Sequence, residues 1–151
     1  MESIEIKTDN YKDSLKLAQR ALFFGLSLSI IAFLFVSDSS LPADFQIPIV
    51  NFKLTSKSSF IFSLISLFLA SGIVCGFATI RAYFILKTIE EKEIKDALRL
   101  YPSILNSNNI FKYAIFGVMG TSWIVFLIKA IGMIWHEAII LEAFISIPYL
   151  I

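Results

Sequence analysis

The sequence holds one cysteine, one histidine, four prolines and few charges, which make up only 17% of its residues. Each scarcity excludes something. A single cysteine, Cys75, forms no disulfide within the chain, so cysteine usage leaves the redox compartment open. Its place inside an apolar run points to a packed, inert thiol. One cysteine and one histidine build no zinc site of the Cys/His type in a monomer. A serine nucleophile would need a base, and the only histidine is His136. His136-Glu137 resembles half of an acid/base or metal motif and stands alone. No glycine-rich loop is present to cradle a phosphate. The expectation is therefore a non-enzyme with no catalytic residue, no metal and no cofactor.

The net charge is +1, from 13 basic and 12 acidic residues. That balance argues against nucleic acid as a partner, because binding the phosphate backbone takes a basic patch. A soluble domain carries about 25% charged residues. This chain falls well short of that, and 57% of its residues are hydrophobic and 15% aromatic. It has too little polar surface to cover itself in water, so lipid is its expected solvent.

Residues 1–20 mix acids and bases ahead of the first apolar run, Ala21–Val36, and no small-x-small cleavage site follows it. The run therefore reads as a retained first helix and not as a cleaved leader. Asn10 and Asp13 resemble a capping pair, which predicts a helix over 11–36 that begins in water. The run is a little short against the roughly 20 residues of a span. Lys16 and Arg20 can extend it by snorkelling. Within it, Ser27 and Ser29 are expected to bond their own helix's carbonyls.

Residues 37–58 form a loop. Its stretch from Phe45 to Leu54 alternates apolar side chains with one slip, predicting a short extended segment or hairpin with Pro48 at an edge. The second run begins at Ser59 and contains Gly72 and Gly76, a GxxxG that lets helix backbones approach closely in lipid. Past Arg81 the pattern stays helical and turns amphipathic: Ile94, Ala97, Leu98 and Tyr101 fall at i, i+3, i+4 and i+7. One helix over 59–101 is expected, running out of the membrane until Pro102 stops it. The third run, 111–135, carries Gly117 and Gly120 as packing positions and is interrupted by Lys129. Residues 136–151 are apolar except at their start and at Glu142. They suit a short fourth span or an interfacial segment.

The basic residues set an expected orientation. Four lie in the N-terminal segment and six between Arg81 and Lys112, against two in the 37–58 loop. The positive-inside rule then places the N-terminus and the 81–112 connection in the cytoplasm of a plasma (inner) membrane. The resulting expectation is all-α, a single polytopic transmembrane bundle over 1–151. It has three spans and a short expected fourth, a short extended outer loop and a cytoplasmic helical extension.

Two side-chain groups stand out. If the chain reverses near Gly132-Met133, Lys129 and Glu137 face each other on antiparallel helices, with His136 beside them and Glu142 deeper. An ion pair near the outer interface, anchored by Trp135, is the plain reading. A polar path or gate through these four residues is the sharper one. The stripe Ile94, Ala97, Leu98, Tyr101 needs a cover: the N-terminal helix, another subunit or a different protein.

In hydropathy architecture the chain resembles small multi-pass bacterial proteins, including ones encoded beside cytosolic partners in phage-defence operons. Its richness in Ile, Phe, Lys, Ser and Asn suits an AT-rich bacterial genome. The amphipathic surface projecting from the membrane and the lack of catalytic groups lead to the expectation of a homo-oligomeric membrane anchor or sensor that engages a cytosolic protein, in a bacterial defence or stress system. The competing expectation is an oligomeric channel or membrane-permeabilising effector, with the GxxxG face assembling subunits.

Overall fold

A computed structural model of the chain describes residues 3–37, 46–47, 52–53, 57–107 and 109–150. The described residues are dominated by helices: α1 (Ile4–Ser37), α2 (Lys57–Lys87), α3 (Lys92–Arg99), α4 (Asn109–Phe126) and α5 (Trp135–Leu150). A 3-10 turn at Ile104–Asn106 precedes α4, and a π-helical turn at Leu127–Ile131 extends it. Three helices are long and apolar enough to cross a membrane, over Ile4–Val36, Ser58–Lys87 and Ile110–Ile131. In the connection between α1 and α2, β1 (Gln46–Ile47) pairs antiparallel with β2 (Phe52–Lys53), Gln46 opposite Lys53 and Ile47 opposite Phe52. Pro48 and the rest of the expected extended stretch lie outside the described residues.

The α1–α2 pair is the frame. Along α1 the buried positions include Tyr11, Leu15, Ala18, Leu22, Gly25, Ser29 and Ala32. Along α2 they include Leu64, Phe68, Ser71, Cys75, Ala78 and Ala82. Both sets step alternately by four and three, the spacing of a coiled-coil seam. Most of these side chains are small, so the two backbones approach closely, which is what drives helix association in lipid. The pair is antiparallel: Phe35 stacks on Phe60 at one end, with ring centroids 4.8 Å apart, and Tyr11 meets Ile89 at the other.

α4 lies beside this pair and runs parallel to α1. Phe126 reaches Phe35, with centroids 5.9 Å apart, and Trp123 packs on Phe68 at 4.5 Å. Trp123 is fully buried, and its indole N–H donates to Ser29 Oγ at 3.0 Å. Ser29 donates in turn to the Gly25 carbonyl at 2.9 Å, and Ser27 to that of Phe23. The chain then reverses. The π turn adds a residue to the last loop of the helix, and Gly132 at φ 82° ends it in a left-handed conformation that glycine adopts without strain. The expected third helix through Trp135 therefore stops at Ile131, and Trp135 opens α5 instead.

α5 returns along α2 and α4. Its last turn wedges into a notch that lacks side chains. A Cβ on Gly72 would fall 2.8 Å from the Tyr149 ring, and one on Gly76 would fall 2.6 Å from the Pro148 carbonyl oxygen. Gly25 on α1 faces the same ring. The Tyr149 hydroxyl donates to the Phe68 carbonyl at 2.8 Å and also meets Ser71 Oγ. Ser71 Oγ bonds that same carbonyl, at 2.9 Å.

Two boundaries near the N-terminal end differ from expectation. α1 starts at Ile4, not near Tyr11, because Ser3 Oγ accepts from the Ile6 amide at 3.4 Å and caps the helix earlier. Asn10 is then an interior residue whose carbonyl accepts from Ser14. The single helix over 59–101 is broken after Lys87 and resumes at Lys92. The break pays for itself in packing: Ile89 folds inward with Tyr11, Leu15, Ala82 and Leu98 into a second small core. Two ammonium groups stabilise the exposed end of α2, as cations do at the negative pole of a helix. Lys7 Nζ donates to the Thr88 carbonyl at 3.2 Å and Lys95 Nζ to that of Ile89 at 3.5 Å.

Candidate functional site in the groove between α4 and α5

The four polar residues singled out near the reversal do not gather. Lys129, on the π turn, is exposed, as are His136 and Glu137 in the first turn of α5. Among the described residues no hydrogen bond or ion pair joins Lys129 to Glu137, so the expected ion pair does not form. A π turn and the left-handed Gly132 lie between the two helices, and register across such a reversal is not legible from spacing. Among the described residues no three His, Cys, Asp or Glu side chains stand close enough to share a metal ion.

Glu142 has a different environment. It sits two turns into α5, half-buried, with its carboxylate laid across Gly120 of α4. A Cβ on Gly120 would be 3.0 Å from Glu142 Oε1. Ser146, one turn on, donates from Oγ to the same Oε1 at 2.6 Å. The carboxylate opens into a groove of about 460 Å³ between the two helices. Gly117, Thr121, Ile124, Ile147 and Leu150 contribute to its walls. A pocket that is mostly apolar with a few convergent polar groups is the usual form of a small-ligand site. On the other side of α4, a second groove of about 620 Å³ runs along α1, lined by Ile30, Phe33, Tyr113 and Thr121 among others. Gly117 borders both grooves, and a Cβ placed there would meet nothing within 4 Å.

The glycines thus divide by use. Gly72 and Gly76 are taken up by α5, so the GxxxG face is covered inside the chain. Gly120 makes room for Glu142, and Gly117 stays open. The amphipathic stripe is also largely covered from within. Leu98 is buried, and Ile94 and Tyr101 pack against the core formed by α1 and the end of α2; only Ala97 stays exposed. What α3 and its approach present outward is charge: Glu90, Glu91, Lys92, Glu93, Asp96 and Arg99 are all exposed, with Leu100 beside them.

The sequence reading missed Gly25, Tyr149 and the Trp123–Ser29 bond. A glycine in an apolar run and a tyrosine in another are visible, but nothing in either segment says that they meet. Compared with known families, curated proteins and solved structures, the chain matches none.

Proposed function

We propose that the chain is a homo-oligomeric anchor or sensor of the bacterial inner membrane that engages a cytosolic protein in a defence or stress response. Its N-terminus is cytoplasmic. The observation that carries this reading is the second core. At 34 and 31 residues, α1 and α2 are about 50 and 46 Å long, against about 30 Å of hydrocarbon. The surplus lies at the end that buries Tyr11, Leu15, Ala82, Ile89 and Leu98. It is rigidly packed, it carries α3, and its outer surface is charged, as a docking platform held above a membrane would be. The covered stripe moves the proposed contact from Ile94, Leu98 and Tyr101 to the outer face around Glu90, Glu91, Glu93, Ala97 and Leu100. The test is affinity capture from native membranes of the wild-type chain and of a variant with all three glutamates changed to lysine. The partner should be lost from the variant while the chain stays folded in the membrane. Equal recovery of the partner would refute the platform.

A second reading, an oligomeric channel or membrane-permeabilising effector, is favoured by one observation: Glu142 opens toward the surface of the bundle, where neighbouring copies of α4 and α5 would meet. α5 would then act as a fourth span. Ion flux from liposomes carrying the wild-type chain and Glu142→Gln tests it; the reading requires flux that the variant changes.

A further inference from the structure

We propose that Glu142 is a proton-binding site inside the bilayer, open to the lipid phase through the α4–α5 groove. The inference rests on α4 and α5 lying in the membrane and on neither role argued above. Gly120, which the carboxylate covers, is the tenth residue after Ile110 and the eleventh before Ile131, so it stands at the middle of that membrane-length helix. Each end is about 15 Å away. Glu142 is therefore at mid-depth, where an unneutralised carboxylate is costly and a functional role is the default reading.

Neutralisation by a side chain is not available. No lysine, arginine or histidine forms an ion pair with Glu142 among the described residues. Among the residues that line the groove, the only other titratable one is Tyr149. Its hydroxyl is already held by the Phe68 carbonyl and Ser71. Lys129 lies nine residues beyond Gly120, toward the reversal, and Glu137 one turn above Glu142; neither bonds it. The remaining partner is a proton. The site is shaped to keep the carboxyl in place in both states. Gly120 lets it lie flat against the helix, and Ser146 holds Oε1.

A carbodiimide reads this state directly. The protonated carboxyl adds across it, its proton passing to a nitrogen while its oxygen bonds the central carbon. The acyl group then shifts from oxygen to nitrogen, giving a stable N-acylurea, and nothing leaves. The full chain in phosphatidylethanolamine–phosphatidylglycerol vesicles would be treated with dicyclohexylcarbodiimide or with a water-soluble carbodiimide, then mapped by peptide mass. Retention of the chain through an alkaline wash checks the membrane reading separately. The apolar reagent should label Glu142, with yield falling as pH rises, and the water-soluble reagent should leave it unmodified. Glu142→Gln should lose the adduct. An unlabelled Glu142 in washed vesicles, a yield independent of pH, or equal labelling by both reagents would overturn the proposal.

Discussion

Ser29 and Trp123 show how much one hydroxyl does in this bundle. The indole N–H has Ser29 Oγ as its acceptor, and both residues are fully buried. Ser29→Ala leaves that donor without a partner and should lower unfolding free energy by about 1–3 kcal/mol. Ser27→Ala is the control: its exposed hydroxyl serves only its own helix, so thermal unfolding in detergent should be unchanged. The glycines give a second pair. Gly76→Ala forces a methyl onto the backbone carbonyl of Pro148 and should cost about 1–3 kcal/mol by overpacking. Gly117→Ala meets open space and should be neutral or stabilising by up to about 1 kcal/mol, from helix propensity alone. Steric-trap unfolding in bilayers measures both. Equal effects of the two would mean that α5 does not occupy the notch.

At the scale of elements, the break between α2 and α3 is the informative feature. Glu91 adopts an extended conformation, φ −66° and ψ 110°, and the helix restarts behind it without a side-chain cap. A poorly capped helix of eight residues has little stability of its own. α3 is held by burial of Leu98 against Tyr11, Leu15, Ala82 and Ile89. Leu98→Asp should therefore undock α3 while leaving the spanning helices intact. Amide hydrogen exchange should speed up across residues 92–99 and stay slow in α2 through Cys75. Unchanged exchange in α3 would show that the helix stands without its docking. α5 makes the same point from the opposite side. Its length falls short of a span, at about 24 Å, and its place comes from Tyr149 and the glycine notch.

For the whole molecule, the proposed orientation has a direct check. Cysteines placed at Glu93 and Glu137, both exposed, lie toward opposite ends of the bundle. A membrane-impermeant maleimide should label the first from the cytoplasmic side and the second from the outside. Native Cys75, 1% exposed, should stay silent. The exchanged pattern would reverse the topology, and labelling of both from one side would dismantle it. The outer surface of the bundle is largely apolar, with Phe62 and Phe77 projecting from α2, Ile110 from α4 and Phe144 from α5. That surface suits lipid.

Hydropathy by itself determined that three segments are long and apolar enough to span a membrane, because that property is a sum over neighbours in the chain. It also exposed Glu142 as a charge in an apolar run, and Gly72 and Gly76 as positions of close approach. The tertiary structure decided what approaches them. Gly72 receives Tyr149 from nearly eighty residues away, the Leu98 stripe turns onto α1, and Lys129 and Glu137 are left apart by one π turn and one left-handed glycine. Such outcomes depend on register between helices, and register is set by side chains meeting across the bundle, where sequence spacing carries no information. The site at Glu142 follows the same rule. The sequence supplied its carboxylate, and the fold supplied the glycine beneath it and the serine that holds it.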